Sequence, residues 1–123
     1  MSEVRRRQVV CVTAGTKRRL GVCIEVDATH RRALVAFTTS QGRHPFPKVE
    51  VRRNSSVARS IGLTVDSYFY ARNIEAFDFD AVEILNAGRP VPSRFIQQVS
   101  QMLSETESTL VADFLEDGPN ESG

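Results

Sequence analysis

The sequence predicts an α+β fold that is mainly β. Several short strands curl into a small twisted barrel or half-barrel, and one C-terminal amphipathic helix covers an end of it. Three observations carry this reading. Between Gln8 and Leu85, short β-branched or alternating apolar runs are separated by turn residues. Pro92-Ser93 then opens a segment with Phe95, Ile96, Val99, Met102 and Leu103 at i, i+1, i+4, i+7 and i+8, one apolar stripe of a helix. Finally, 123 residues of which 41% are hydrophobic suffice for one core without covalent staples.

The elements follow in order. Gln8 to Thr13 (QVVCVT) is β-branched and bounded by Ala14-Gly15-Thr16, which predicts a first strand. Ala14 to Arg19 is the connector, ending in Lys17-Arg18-Arg19. Leu20 to Asp27 alternates, with Val22, Ile24 and Val26 on one face and Cys23 and Glu25 on the other. Arg32 to Thr38 is a third strand, whose unbroken apolar run from Ala33 to Phe37 predicts burial on both faces. Lys48 to Arg52 is a fourth, with Val49 and Val51 inward.

Asn54 to Ser60 reads as a short helical turn capped by Asn54 or Ser55, and Gly62 stops it. Tyr68-Phe69-Tyr70 marks a strand within Asp66 to Ala71. Asn73 to Leu85 alternates weakly and is expected to be a turn plus one further strand. Ala87-Gly88-Arg89-Pro90 breaks the chain before the helix. The stripe can be followed through Leu110, Val111, Phe114 and Leu115, but Ser104 to Thr109 is polar and poor in helix formers. The expected organisation is therefore one domain over 1–103 and an acidic, flexible tail over 104–123.

No apolar run reaches the roughly 20 residues that span a bilayer. Three arginines, Arg5 to Arg7, precede an apolar stretch, Val9 to Val12, too short for a signal-peptide core. A soluble, cytoplasmic chain is expected, with no membrane partner. Cys11 and Cys23 sit inside apolar runs and read as small buried hydrophobes rather than a disulfide. His30 and His44 have no metal-ligand spacing, so no metal is expected.

The net charge of +1 hides a division along the chain. Met1 to Arg59 holds 13 Lys/Arg against 4 Asp/Glu, and Ser60 to Gly123 holds 3 against 11. Two arrangements fit this: a polyanion-binding surface on one side, or mutual neutralisation of the halves across the fold.

Chemistry concentrates in Ala33 to Val51. A buried strand delivers three hydroxyls, Thr38, Thr39 and Ser40, beside a basic, turn-rich loop from Gln41 to Pro47. That suits a phosphate or RNA site. His44 in the loop is a candidate general acid or base. Arg43, Lys48, Arg52 and Arg53 are candidate phosphate contacts. Tyr68 and Tyr70 could stack bases, though aromatic residues in a strand usually belong to a core.

Several segments, in order, resemble the MazF/PemK toxin family. Arg19-Leu20-Gly21-Val22 is similar to its arginine before a strand, usually followed by proline. Ala36 to Gln41 (AFTTSQ) is similar to its strand ending in threonine, and Phe46 to Val51 (FPKVEV) to its next strand. Gly62 to Ser67, Asn73 to Asp78 and Arg89 to Leu103 resemble its later segments. The resemblance spans roughly Arg6 to Leu103. It departs in a short first loop, in Leu20 at the usual proline, and in Arg72 and Glu75, where members tend to have an acidic or variable residue and an arginine.

The resemblance implies an SH3-like small barrel with a C-terminal helix, related in fold to the gyrase poison CcdB. It implies a homodimeric toxin with an antitoxin partner that cleaves single-stranded RNA without metal or other cofactor, through the substrate's 2′-hydroxyl. Arg19 would then meet the phosphate, flanked by Lys17 and Arg18. Thr38 would donate its hydroxyl to the same phosphate, with Thr39 and Ser40 as further contacts. A non-catalytic binding module on the same fold and a topoisomerase-binding toxin are the alternatives.

Overall fold

The structure is a computed structural model and describes residues 3–116. Its elements are β1 (Val9–Ala14), β2 (Lys17–Asp27), β3 (Arg32–Phe37), β4 (Lys48–Val51), α1 (Ser56–Ile61), β5 (Ser67–Tyr70), β6 (Ile74–Asp78), β7 (Val82–Ile84), α2 (Ser93–Glu105) and α3 (Leu110–Glu116). The fold is α+β, as the sequence predicts.

An antiparallel sheet runs in the order β6-β3-β2-β1-β7, and β4 and β5 form a second, two-stranded sheet. The two meet at a corner. Thr39, just beyond β3, pairs with Tyr68 of β5, with its amide 3.0 Å from the Tyr68 carbonyl and the Tyr68 amide 2.8 Å from its own. The five-stranded antiparallel sheet, the second sheet at its corner and the covering helix are the α+β arrangement expected.

The connector between β1 and β2 is shorter than the sequence suggests. Ala14 pairs with Lys17, leaving only Gly15-Thr16 as the turn, with Gly15 at φ +66°. Lys17, Arg18 and Arg19 are thus strand residues. Charged side chains at an exposed hairpin tip carry no apolar alternation, so the pattern of the sequence stops short of the real strand.

Two apolar layers lie against the main sheet. Leu34 and Ala36 of β3 face a cluster with Val9, Val22, Val49, Phe69, Phe95 and Val99, and α2 covers it. Val35 and Phe37 face a second cluster with Val10, Val12, Cys23 and Phe79. The run from Ala33 to Phe37 is indeed buried on both faces, at 0–1% exposure. Helix α2 buries the predicted five residues, and Phe95 meets Phe69 edge-on with centroids 4.7 Å apart.

The weakly alternating stretch from Asn73 to Leu85 becomes two strands rather than one. A 3-10 turn, Phe79–Ala81, separates β6 from β7, and they pair with opposite edges of the sheet, β3 and β1 respectively. Within the stretch expected as tail, α3 docks Phe114 on the first cluster at 4% exposure, with the Arg32 guanidinium 5.2 Å from its ring centre. The remaining tail, 117–123, lies outside the described residues.

Both cysteines are free and buried. Burial pushes the Cys23 thiol up to about 12, beyond the help of its bond to the Glu25 carbonyl. His30 sits in the turn after β2, 2.6 Å from Asp27, and that bond holds the Asp27 carboxyl below its usual range.

Candidate functional site

Arg19 lies in β2 opposite Val12, and strand alternation puts its side chain on the face of the Phe37 cluster. Its guanidinium stacks 3.8 Å above the Phe37 ring centre. One terminal nitrogen donates to Asn73 Oδ1 at 2.6 Å and the other to Glu75 Oε1 at 3.4 Å. Asn73 is in place because its carbonyl accepts from the Phe37 amide at 3.0 Å, extending the β3–β6 ladder. Ring, amide and carboxylate thus orient one planar cation, and two of its five N–H donors are occupied.

Asn73 also lines an open cavity of about 350 Å³ with Thr39, Gln41, His44, Phe46, Tyr70 and Arg72. Tyr70 forms its floor, 5% exposed, with its hydroxyl donating to the Gln41 carbonyl at 2.6 Å. His44 meets Tyr70 edge-on at 5.6 Å and stacks on Phe46 at 6.2 Å. The Arg72 guanidinium lies 4.2 Å from the Phe46 ring centre, and Phe46 stays 37% exposed. Lys48 Nζ approaches Tyr70 at 5.8 Å and the His44 carbonyl at 3.5 Å. The loop fits this closely because residue 42 is glycine: a Cβ there would stand 2.4 Å from the Tyr68 ring.

The structure brings some of the expected residues together and separates others. Arg19, Thr39, His44 and Lys48 gather around the cavity and its rim. Thr39 Oγ1 accepts from the Gln41 amide at 3.2 Å. Thr38 is a backbone neighbour of this group but its side chain points elsewhere. Its amide donates to the Leu20 carbonyl at 3.1 Å, which sets it opposite Leu20, and opposed residues of a ladder share a face. Leu20 packs on the α2 side, so Thr38 Oγ1 lies across the sheet from the Arg19 guanidinium, buried and without a hydrogen-bond partner.

Lys17 is exposed at the hairpin tip. Arg18 turns towards the far edge of the sheet and pairs with Glu83 of β7 at 2.7 Å. Ser40 and Arg43 are exposed in the loop after β3. Arg52 and Arg53 follow the other end of β4, since Lys48 pairs with Tyr70 but Val51 with Ser67. Arg52 lies 3.9 Å from Glu50, and the Arg53 amide donates to Asp66 at 2.9 Å.

Asn73, Phe46 and Gln41 are site residues that the sequence reading did not assign. Phe46, an exposed aromatic between two prolines, carried a local signal. Asn73 and Gln41 carried none, because only the β3–β6 pairing and the turn after Thr39 bring them here.

As a unit the arrangement offers an oriented guanidinium, a second one on an exposed aromatic face, a hydroxyl and an imidazole at an open cavity. It can hold an anionic, planar-ringed ligand, with phosphate at Arg19 and a ring against Phe46.

No protein-family model matches the chain, and no curated protein matches it. Among solved structures it is similar to the crystal structure of MazE-MazF (Form-II) from Deinococcus radiodurans, at 15% identity and a TM-score of 0.60, covering 86% of this chain and 96% of that one. Identity this low speaks for architecture, and on that ground the chain has a MazF-like fold.

Proposed function

We propose that the protein is the toxin of a toxin–antitoxin pair, a metal-independent endoribonuclease acting on single-stranded RNA in the cytoplasm, as a homodimer with an antitoxin partner. The observation that carries the reading is Arg19, stacked on Phe37 and bonded to Asn73 at the rim of the cavity that holds Thr39, His44 and Phe46. The antitoxin is suggested by the similar structure, in which MazF is paired with MazE.

In this reading the substrate's 2′-oxygen attacks the adjacent phosphorus and loses its proton, while the bond from phosphorus to the 5′-oxygen breaks and that oxygen gains a proton. The products are a 2′,3′-cyclic phosphate and a free 5′-hydroxyl. Arg19 neutralises the charge that grows on the non-bridging oxygens. His44, exposed beside Tyr70, takes or returns a proton. Thr39, which lines the cavity, supplies the hydroxyl contact that Thr38 would have to make from the opposite face. Phe46 and Arg72 hold a base.

Incubation of the purified protein with single-stranded RNA in the presence of EDTA tests this. Wild type cleaves, and Arg19→Ala slows cleavage by about 100-fold or more. An inert wild type, or equal rates for the two proteins, overturns the mechanism.

A second reading, a non-catalytic RNA-binding module, is favoured by the Glu75 carboxylate on Arg19 and by the Thr38 hydroxyl facing away. Tight, salt-sensitive binding that leaves the RNA intact would select it.

A further inference from the structure

A second basic surface lies at the other end of β4. A groove of about 550 Å³ runs between β4 and the start of α2, and its lining includes Arg52, Ser55, Ser56, Ser93, Arg94 and Gln98. Ser56 also lines the neighbouring cavity, about 520 Å³, whose walls carry Arg59 and Arg89. Four guanidiniums therefore border one continuous, serine-rich depression. Glu50 is the single carboxylate on its walls, 3.9 Å from Arg52. Among the described residues, no carboxylate lies within ion-pair distance of Arg59, Arg89 or Arg94.

The position of Arg94 sharpens this. It stands in the first turn of α2, a turn without acidic residues, where the helix backbone already presents positive potential. Neither the helix nor an ion pair accounts for a cation at that place. Arg94 is exposed there, and its charge is open to an external anion. The walls combine guanidinium, hydroxyl and carboxamide groups with Val51, Val57, Pro90 and Pro92; none of these apolar residues is an aromatic or large aliphatic anchor of the kind a bound peptide uses, and the four guanidiniums favour phosphate.

The groove is also in line with the Arg19 cavity. Along β4 the exposed positions are Lys48 and Glu50, with exposed Arg52 next in step. From Lys48, beside His44 and Tyr70 of the cavity, to Arg52, at the groove, is roughly 13 Å of strand, with Glu50 between them and Glu105 near Lys48.

We propose that the groove between β4 and α2 is a second phosphodiester-binding subsite, which grips single-stranded RNA flanking the segment held at Arg19. This rests on the RNA reading of the Arg19 cavity and adds to it a length requirement and a second point of attachment.

The test is fluorescence anisotropy on the whole chain with labelled single-stranded RNAs of about 4 and about 16 nucleotides, 2′-O-methylated so that they cannot be cleaved through the 2′-oxygen, each titrated over a range of salt. Wild type binds the longer RNA more tightly. Arg94→Glu weakens the longer RNA by about 10-fold and leaves the shorter unchanged, while Arg94→Gln makes the salt slope for the longer RNA shallower by about 0.7. Arg94→Lys keeps that slope and recovers most of the affinity. Thermal unfolding of each variant confirms that the fold is retained. The subsite is overturned if wild type binds both lengths equally, if Arg94→Glu leaves the longer RNA unaffected, or if it weakens both lengths alike. Failure of wild type to bind either RNA overturns the reading of the Arg19 cavity as well, which separates the two outcomes.

Discussion

The Arg19 guanidinium already holds Asn73 and Glu75, and the proposed function asks it to take a phosphate as well. Asn73 and Phe37 orient it without consuming its charge, whereas Glu75, 57% exposed at 3.4 Å, competes directly with any phosphate oxygen. An exposed pair of this kind contributes about 0–1 kcal/mol, so a phosphate can displace the carboxylate at small cost. Glu75→Gln is therefore expected to raise RNA affinity by about 3- to 10-fold with little change in stability, measured by anisotropy and thermal unfolding; weaker binding by this variant would mean that Glu75 positions Arg19 rather than blocks it. Arg19 was legible from its resemblance to a family pattern, but its partners were not, because Asn73 and Glu75 are 54 and 56 residues away and meet it only through the β3–β6 ladder. The direction of Thr38 was equally hidden, since a hydroxyl at a strand end reads the same whichever face it takes. Cys23 gives a separate test at this scale. Its thiol titrates near 9.0 in an unfolded chain and is pushed up to about 12 by burial, so the folded state holds this proton more tightly. The contribution is fully present below pH 9 and is lost as the pH rises towards 12. Urea unfolding should show wild type losing stability faster than Cys23→Ala across that window, and native Cys23 should resist thiol reagents until the protein unfolds.

Elements with local periodicity were legible, and those defined by distant pairing were not. Helix α2 is the clearest case: its five stripe residues are the ones buried, because a spacing of three and four residues determines a helix face without reference to anything else. Strand β3 was equally readable, as a continuous apolar run needs cover on both sides. By contrast, β6 and β7 were read as one strand, and only their pairing with opposite sheet edges separates them. The hairpin arm of β2 was missed because Lys17 to Arg19 are all charged, two of them exposed and the third half-buried. Helix α3 shows a third situation, a short segment too weak in propensity to stand alone that is held chiefly by one fully buried side chain, with Leu110 and Val111 half-buried against the same core. Phe114 packs on the main core at 4% exposure, while Leu115 beside it is 50% exposed. Phe114→Ala should cost about 2–4 kcal/mol in chemical denaturation, in the lower range for a buried phenylalanine because the site is peripheral. Leu115→Ala should cost less than about 0.5 kcal/mol. Equal, small effects from both would return 104–116 to the category of tail.

At the scale of the molecule, the division of charge along the sequence is partly undone by the fold. Arg18 with Glu83, Arg19 with Glu75 and Arg31 with Asp80 each join a cation of the first half to an acid of the second across the sheet. The positive surface that remains is drawn from both halves: Arg43, Lys48, Arg52 and Arg59 from the first, Arg72, Arg89 and Arg94 from the second. The sequence showed the charges but could not show which would be spent within the protein. That distinction makes a prediction about salt. Each phosphate neutralised by the protein contributes about −0.7 to the slope of log affinity against log salt for single-stranded RNA, so only cations not already engaged should count fully. Lys48, which lies between Tyr70 and the His44 carbonyl with no carboxylate within ion-pair distance among the described residues, should lose close to that full increment in Lys48→Gln. Arg18 sits 2.7 Å from Glu83, and Arg18→Gln should change the slope by less than half as much. Salt titrations of RNA binding by the two variants decide this, and an equal change for both would mean that RNA draws Arg18 away from Glu83 and that the hairpin tip belongs to the bound surface.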